Sequence, residues 1–228
     1  MINSLKKILI IAAHQDDETI GCGGTIKKWA NNGADIKVCF VTSGNTGIDQ
    51  TKKYKSEDIV RIRNSEVEKA KKILNYSWCT LNYPTQCVKN DQEIFHKIIK
   101  LIRKEKPDLI ITHSPIDKHR DHRVICDIVT EASWKSYEHI HTELGPPHRI
   151  KDLWGMEITD PLPKVDITVD ITDTFKNKID AMEAYISQEK IVDGIFDFLD
   201  GLAKVRGYGA GCKYGESFRR MNIGPITL

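Results

Sequence analysis

The 228-residue chain reads as an α/β protein, with a mostly parallel sheet covered by helices on both faces. Three observations predict it. Short apolar runs rich in Ile and Val recur along the chain. Segments with helical apolar spacing separate them. Two of the runs end in dense groups of His and Asp, and the carboxyl ends of strands are where open α/β sheets collect ligands.

The elements follow in order. Ile8-Leu9-Ile10-Ile11-Ala12-Ala13 is apolar throughout and too short for a helix, so residues 8–13 are expected as a buried first strand. Gly21-Cys22-Gly23-Gly24 then leads into a short helix expected over about 25–31, closed by Gly33. Residues 35–42 alternate polar and apolar and predict the second strand. Ser43 to Gly47 form a loop on the same rim as the end of the first strand. Ser56-Glu57-Asp58 cap a long helix whose stripe is Ile59, Ile62, Val67, Ala70, Ile73 and Leu74. A short strand over 78–83 is stopped by Pro84. Residues 92–105 are an amphipathic helix with Ile94, Phe95, Ile98, Ile99 and Ile102 inward. Pro107 opens a fourth strand ending at Thr112. A helix is expected over 124–137, strands over 153–158 and 165–171, and a helix from Asp173 to about 187. The Gly-rich stretch 194–215 lacks periodicity and reads as a lid, an oligomer contact or a wandering C-terminus. Strands alternating with helices predict a Rossmann-like three-layer α/β/α sandwich with a mostly parallel sheet, one domain over residues 1–228.

Composition narrows the function classes. Hydrophobic residues make up 40% and charged residues 29%, with a formal net charge of +2. That is ordinary for a soluble globular protein, and no Lys/Arg block marks a nucleic-acid partner. No apolar run approaches the roughly 20 residues that span a bilayer. Lys6-Lys7 precede only six apolar residues, which does not make a secretion signal. Six cysteines without a C-x-x-C pair imply a cytoplasmic protein whose thiols serve as small core residues.

His14-Gln15-Asp16-Asp17-Glu18 follows the first strand directly. Clustered carboxylates repel one another and lose hydration, so something must compensate them; a metal cation is the simplest candidate. The bland reading is an Asp pair at a helix N-terminus, with Glu18 bracing the turn. The fourth strand runs into His113-Ser114-Pro115-Ile116-Asp117-Lys118-His119-Arg120-Asp121-His122, which holds three of the chain's eight His. If the two strands are parallel neighbours, both clusters face one rim, and His14, Asp17 and His122 can close around one ion.

These residues resemble the PIG-L superfamily of LmbE-like zinc N-deacetylases. Ala13-His14-Gln15-Asp16-Asp17-Glu18 is similar to its first motif, and Gly21-x-Gly23-Gly24 continues the likeness. His119-Arg120-Asp121-His122 is similar to its second motif. Arg63 with Glu66, and Arg206-Gly207 with Tyr214-Gly215-Glu216-Ser217-Phe218, are looser matches. The resemblance implies zinc, or another divalent transition metal, held by His14, Asp17 and His122. It implies Asp16 as general base, His119 as the donor that stabilises the tetrahedral intermediate, and Asp121 as the group that holds His119 charged. Arg63, His113 and Gln15 are expected at the substrate; Gln15 stands where the family has Pro. The implied substrate is a small N-acetylated amino sugar or its conjugate, and trimers or hexamers are common in the family. Two other readings remain at this point: hydrolysis of a different N-acyl group such as formyl, and a non-catalytic zinc- or nucleotide-binding module.

Overall fold

The computed structural model describes residues 5–48, 54–189 and 191–222. The elements are β1 (Lys7–Ala12), α1 (Asp17–Asn31), β2 (Asp35–Thr42), α2 (Ser56–Leu74), β3 (Ser77–Tyr83), α3 (Gln92–Glu105), β4 (Leu109–His113) and α4 (Arg120–Lys135), followed by β5 (Asp152–Met156), β6 (Ile167–Asp170), α5 (Phe175–Glu183), α6 (Ile195–Ala210) and β7 (Gly215–Arg220). One seven-stranded sheet runs β3-β2-β1-β4-β5-β7-β6. The pairs from β3 to β5 are parallel, and β7 lies antiparallel between β5 and β6. The α/β sandwich expected from the sequence is therefore the one observed.

Side-chain alternation builds the layers. Ile8, Ile10 and Ala12 of β1 join a core with Ile26 and Trp29 of α1, Val67 and Leu74 of α2, and Met182 of α5. Leu9, Ile11 and Ala13 join the opposite core with Ile98 and Ile102 of α3 and Ile128 and Val129 of α4. A central strand covered on both faces must be apolar at every position, which is why 8–13 shows no polar alternation. β1 pairs with β2 on one side and with β4 on the other. The chain order reverses there, and such a switch point opens a crevice at the carboxyl ends of the strands.

Three expectations need correction. The first helix begins at Asp17, not near Thr25. The glycines that looked like a breaker allow close packing instead: a Cβ on Gly21 would come within 2.7 Å of Met156, and one on Gly24 within 2.8 Å of Ile171. The helix is kinked at Cys22 (φ −151°, ψ 23°). Beyond the kink, Glu216 accepts hydrogen bonds from the N–H groups of Gly24 (2.9 Å) and Thr25 (2.7 Å) and so caps the second segment. The second correction concerns 194–215, where α6 occupies most of a stretch expected to lack order. Its buried positions, Ile195, Leu199, Ala203 and Gly207, do have helical spacing. The glycines between them hid it, because Gly is a poor helix former judged by propensity alone. The helix after Asp173 is also shorter than expected, and Ser187 lies in a separate 3-10 turn, Ile186–Gln188. Among the described residues no helix is long and apolar enough to cross a membrane.

Glu216 also accepts a hydrogen bond from Lys178 Nζ at 2.6 Å, and both side chains are buried. Removing the carboxylate would strand a buried ammonium and two helix N–H groups. Glu216→Ala is expected to lower the free energy of unfolding in urea by about 3–5 kcal/mol, with Glu216→Gln falling between it and the parent.

Candidate active site

β1 and β4 deliver the two clusters to one point. His14 Nδ1 lies 3.4 Å from Asp17 Oδ2 and 3.3 Å from His122 Nε2, and His122 Nε2 lies 3.4 Å from Asp17 Oδ1. Donor atoms about 2.0–2.1 Å from a tetrahedral zinc stand roughly 3.3 Å apart. The three side chains thus have the spacing of ligands around one such ion, and two imidazoles with one carboxylate are a donor set that zinc accepts. His119 also contributes a ring nitrogen to a group with His14 and His122 whose donor atoms all lie within 4.8 Å of one another. His113 forms a like group with Asp17 and His122. Its Nε2, however, accepts the N–H of Ala13 at 2.8 Å, which occupies the lone pair a metal would need.

The outer nitrogens of the two imidazoles face carboxylates. Asp121 Oδ2 lies 3.1 Å from His14 Nε2 and accepts the N–H of Gln86 at 2.8 Å. Asp117 Oδ2 lies 3.1 Å from His122 Nδ1, off the ring's N–H axis. Asp117 also accepts from His119 N (2.7 Å) and Thr159 Oγ1 (2.5 Å), fixing the loop before α4. A carboxylate on the far nitrogen of an imidazole holds the proton there and turns the other lone pair inward. His14 is thereby set to present Nδ1, while Asp117 acts on His122 through its charge without a hydrogen bond.

The electrostatics favour a cation. Burial works against charge on His122, but Asp17 and Asp117 outweigh it and raise its pKa to about 10. Burial likewise opposes ionisation of Asp17, yet His122 and His14 hold its carboxyl well below the usual range. Asp16 differs: burial raises its pKa to about 7, with the Arg63 guanidinium opposing and Asp17 reinforcing the shift.

Asp16 occupies a strained position. It is the residue before α1, with φ +119°, a left-handed conformation that costs a non-Gly residue about 1–3 kcal/mol. Its carbonyl accepts the N–H groups of Thr19 and Ile20, and its own N–H donates to Glu18 Oε2 at 3.1 Å. Arg63, 1% exposed, holds it from the other side, donating to the Gln15 carbonyl and lying 3.2 Å from Asp16 Oδ2. Arg63 also donates to Ser187 Oγ at 3.2 Å and to Glu66 at 3.4 Å. Glu18, fully buried, accepts from Tyr185 (2.6 Å), Thr19 (2.7 Å) and Tyr76 (3.0 Å), which makes it the brace of this turn.

The three residues expected at the substrate, Arg63, His113 and Gln15, are all buried. Arg63 is buried, with its two terminal nitrogens on Gln15, Asp16, Glu66 and Ser187 and its Nε without a partner. His113 is 0% exposed, stacked on His122 with ring centroids 4.0 Å apart. Gln15 is also 0% exposed, packed against Gly44 with Nε2 directed at the Thr42 carbonyl (3.5 Å). Long polar side chains next to a reactive cluster read as ligand contacts in one dimension; in the fold they pack against the cluster. Asp121 favours the charged form of His119 through its field and not through a side-chain contact. Its carboxylate is on His14, and only its backbone N–H meets His119, at Nδ1 (3.2 Å). That acceptor role leaves the proton of a neutral His119 on Nε2. Burial, with the charges of His122 and His14, moves its pKa down. Sequence reasoning missed Gln86, an exposed residue with φ +63°. Its signal was its place just beyond β3, whose end shares the rim with β1 and β4.

The sequence profile of the PIG-L family, described as GlcNAc-PI de-N-acetylase, matches residues 9–133, more than half the chain. The chain belongs to the PIG-L family. A relative from Thermococcus kodakarensis, named diacetylchitobiose deacetylase, is 29% identical over 95% of this chain and 84% of its own length. The structure of N,N'-diacetylchitobiose deacetylase from Pyrococcus horikoshii, complexed with an inhibitor, superposes with a TM-score of 0.87 at 28% identity, covering 97% of this chain and 86% of that one. A structure from Pseudomonas putida KT2440, named 4-carboxy-2-hydroxymuconate hydratase, reaches 0.86 at 20% identity, covering 98% and 99%. The last shares the fold alone, so fold does not decide the reaction and the site must.

Arg63→Met would leave Asp16 and Glu66 without their buried counter-charge. The expected result is a fall in thermal midpoint of roughly 10 °C, read by circular dichroism, with no rescue by Arg63→Lys, whose single ammonium cannot span the same partners.

Proposed function

We propose that this chain is a zinc-dependent N-deacetylase acting on an acetylated amino sugar or its conjugate. The observation that carries the reading is the convergence of His14, Asp17 and His122 at zinc-ligand spacing, with Asp16 and His119 beside them. The deacetylase names of the two archaeal relatives support the substrate class. His14, Asp17 and His122 would hold the metal, and another divalent transition metal fits the same donors. When bound, zinc supplies Lewis acidity that polarises an amide carbonyl and acidifies water.

The residues then divide the work. Asp16, with a pKa raised to about 7 by burial, takes the proton from the attacking water as oxygen bonds to the amide carbon. It returns that proton to the amine nitrogen as the C–N bond breaks, and the proton of the new carboxyl group follows, so one water yields acetate and a protonated amine. His119, with Nε2–H as donor, meets the oxygen on which negative charge develops; such a donor is worth roughly 3 kcal/mol to the transition state. Asp121 orients the His14 ring, and Asp117 acts on His122 through its charge. Arg63 positions Asp16. Removal of a different acyl group such as formyl uses the same machinery and differs only in the space beyond the carbonyl.

The proposal extends to residues 1–228 as one catalytic domain and to a homo-oligomer of three or six chains, by family resemblance. Six free cysteines support a reducing, cytoplasmic setting.

Amine release from N,N'-diacetylchitobiose and other 2-acetamido sugars tests the activity, assayed with added zinc and after chelation. No release from any acetamido sugar, or release indifferent to chelator, would reject the reading. Asp16→Asn is expected to lower kcat/KM by at least about 10²-fold while metal content after dialysis stays at the parent level. Asp117→Asn and Asp121→Asn are expected to weaken zinc binding about 10–100-fold in competition with a chromophoric chelator.

A further inference from the structure

Away from the rim, two cysteines meet across the sheet. Cys39 of β2 and Cys79 of β3 are register partners in the parallel ladder, between the Lys37–Ser77 pair and the Phe40–Thr80 pair. Register partners point to the same face, here the face covered by α3, where Cys39 belongs to the core and Cys79 packs against its border. Cys39 is fully buried, whereas Cys79 is partly exposed. β3 is the edge strand, bonded to β2 alone. Lys37, two residues before Cys39 on the same face, is paired with Glu105 at 2.8 Å.

Neighbouring strands lie about 4.8 Å apart. That falls within the Cα separation of about 4.4–6.8 Å that a disulfide tolerates. The Cβ atoms of parallel partners stand nearer 4.8 Å than the preferred 3.8 Å, so the strands must draw together by some tenths of an ångström. An edge strand held on one side can do so. The resulting bond is strained, and strained disulfides are the readily reduced ones.

We propose that Cys39 and Cys79 are a reversible dithiol–disulfide pair, oxidised by a low-molecular-weight disulfide of the glutathione type. Cys79, the accessible member, attacks one sulfur of the small disulfide as a thiolate; a mixed disulfide forms and one small thiolate leaves. The Cys39 sulfur then attacks Cys79 Sγ, loses its proton and displaces the second small thiol. The net change is two protein thiols and one small disulfide converted to one protein disulfide and two small thiols. Contact with the Cys39 thiol lowers the pKa of Cys79 to about 7, against burial and with help from Lys37, which favours Cys79 as the attacking group. Cys39, by contrast, has its pKa raised. This inference does not rest on the deacetylase reading.

The test uses the whole protein. At pH 7, limiting iodoacetamide is expected to label Cys79 several-fold faster than the exposed Cys87. Treatment with oxidised glutathione, blocking of free thiols and peptide mapping should give a Cys39–Cys79 cross-linked peptide that dithiothreitol removes. Cys39→Ser should instead stop at a glutathione adduct on Cys79, and Cys79→Ser should leave Cys39 unmodified. The proposal fails if Cys87 labels first, or if the parent protein retains the adduct without forming the cross-link. Circular dichroism of both variants distinguishes lost chemistry from lost structure, and the labelling of the parent protein stands regardless of how the variants fold.

Discussion

Three consecutive carboxylates buried at the end of a central strand set the terms for this molecule. Asp16, Asp17 and Glu18 are 6%, 3% and 0% exposed. Charge taken out of water must be matched by partners or it unfolds the protein. Each carboxylate is matched differently. Glu18 receives two tyrosine hydroxyls and a threonine hydroxyl, Asp16 the Arg63 guanidinium, and Asp17 the imidazoles of His14 and His122. Glu18 is satisfied entirely by the protein. Asp17 is matched by rings whose far nitrogens themselves face Asp121 and Asp117. Positive charge at that centre is what the arrangement supports.

The architecture makes this feasible. At the β1–β4 junction the strand order reverses: the chain leaves β1 towards β2 and leaves β4 towards β5, which opens room between the two strand ends. α2, α5 and the turn that bears Ser187 close one side, bringing Arg63, Glu66 and Tyr185 to the Asp16 turn. The β3–α3 loop closes another by way of Gln86 on Asp121. The left-handed backbone at Asp16 persists because Arg63, Glu18 and the first turn of α1 all hold it.

Much of this was legible in one dimension. The Ile-rich run 8–13 could only be a strand buried on both faces. Helix α3 and strand β2 fall at the residues their periodicity indicated, because an apolar stripe and a polar alternation are properties of the local chain. The pairing of the His14 and His122 clusters followed from two charge-rich segments placed after two strands. The role of glycine did not follow: Gly21 and Gly24 looked like loop and proved to be the contact surface of a helix. The same holds for 194–215, where the helix is maintained by packing that propensity does not record.

The sequence by itself determined where the His and Asp clusters stand, at the ends of which strands, since residue type and period are local. Tertiary structure decided who supports whom. Arg63, His113 and Gln15 are buried against the cluster, and burial depends on every element around them. Asp121 became the partner of His14, 107 positions away along the chain, because hydrogen bonds form between neighbours in space. Proximity of that kind has no trace in sequence order.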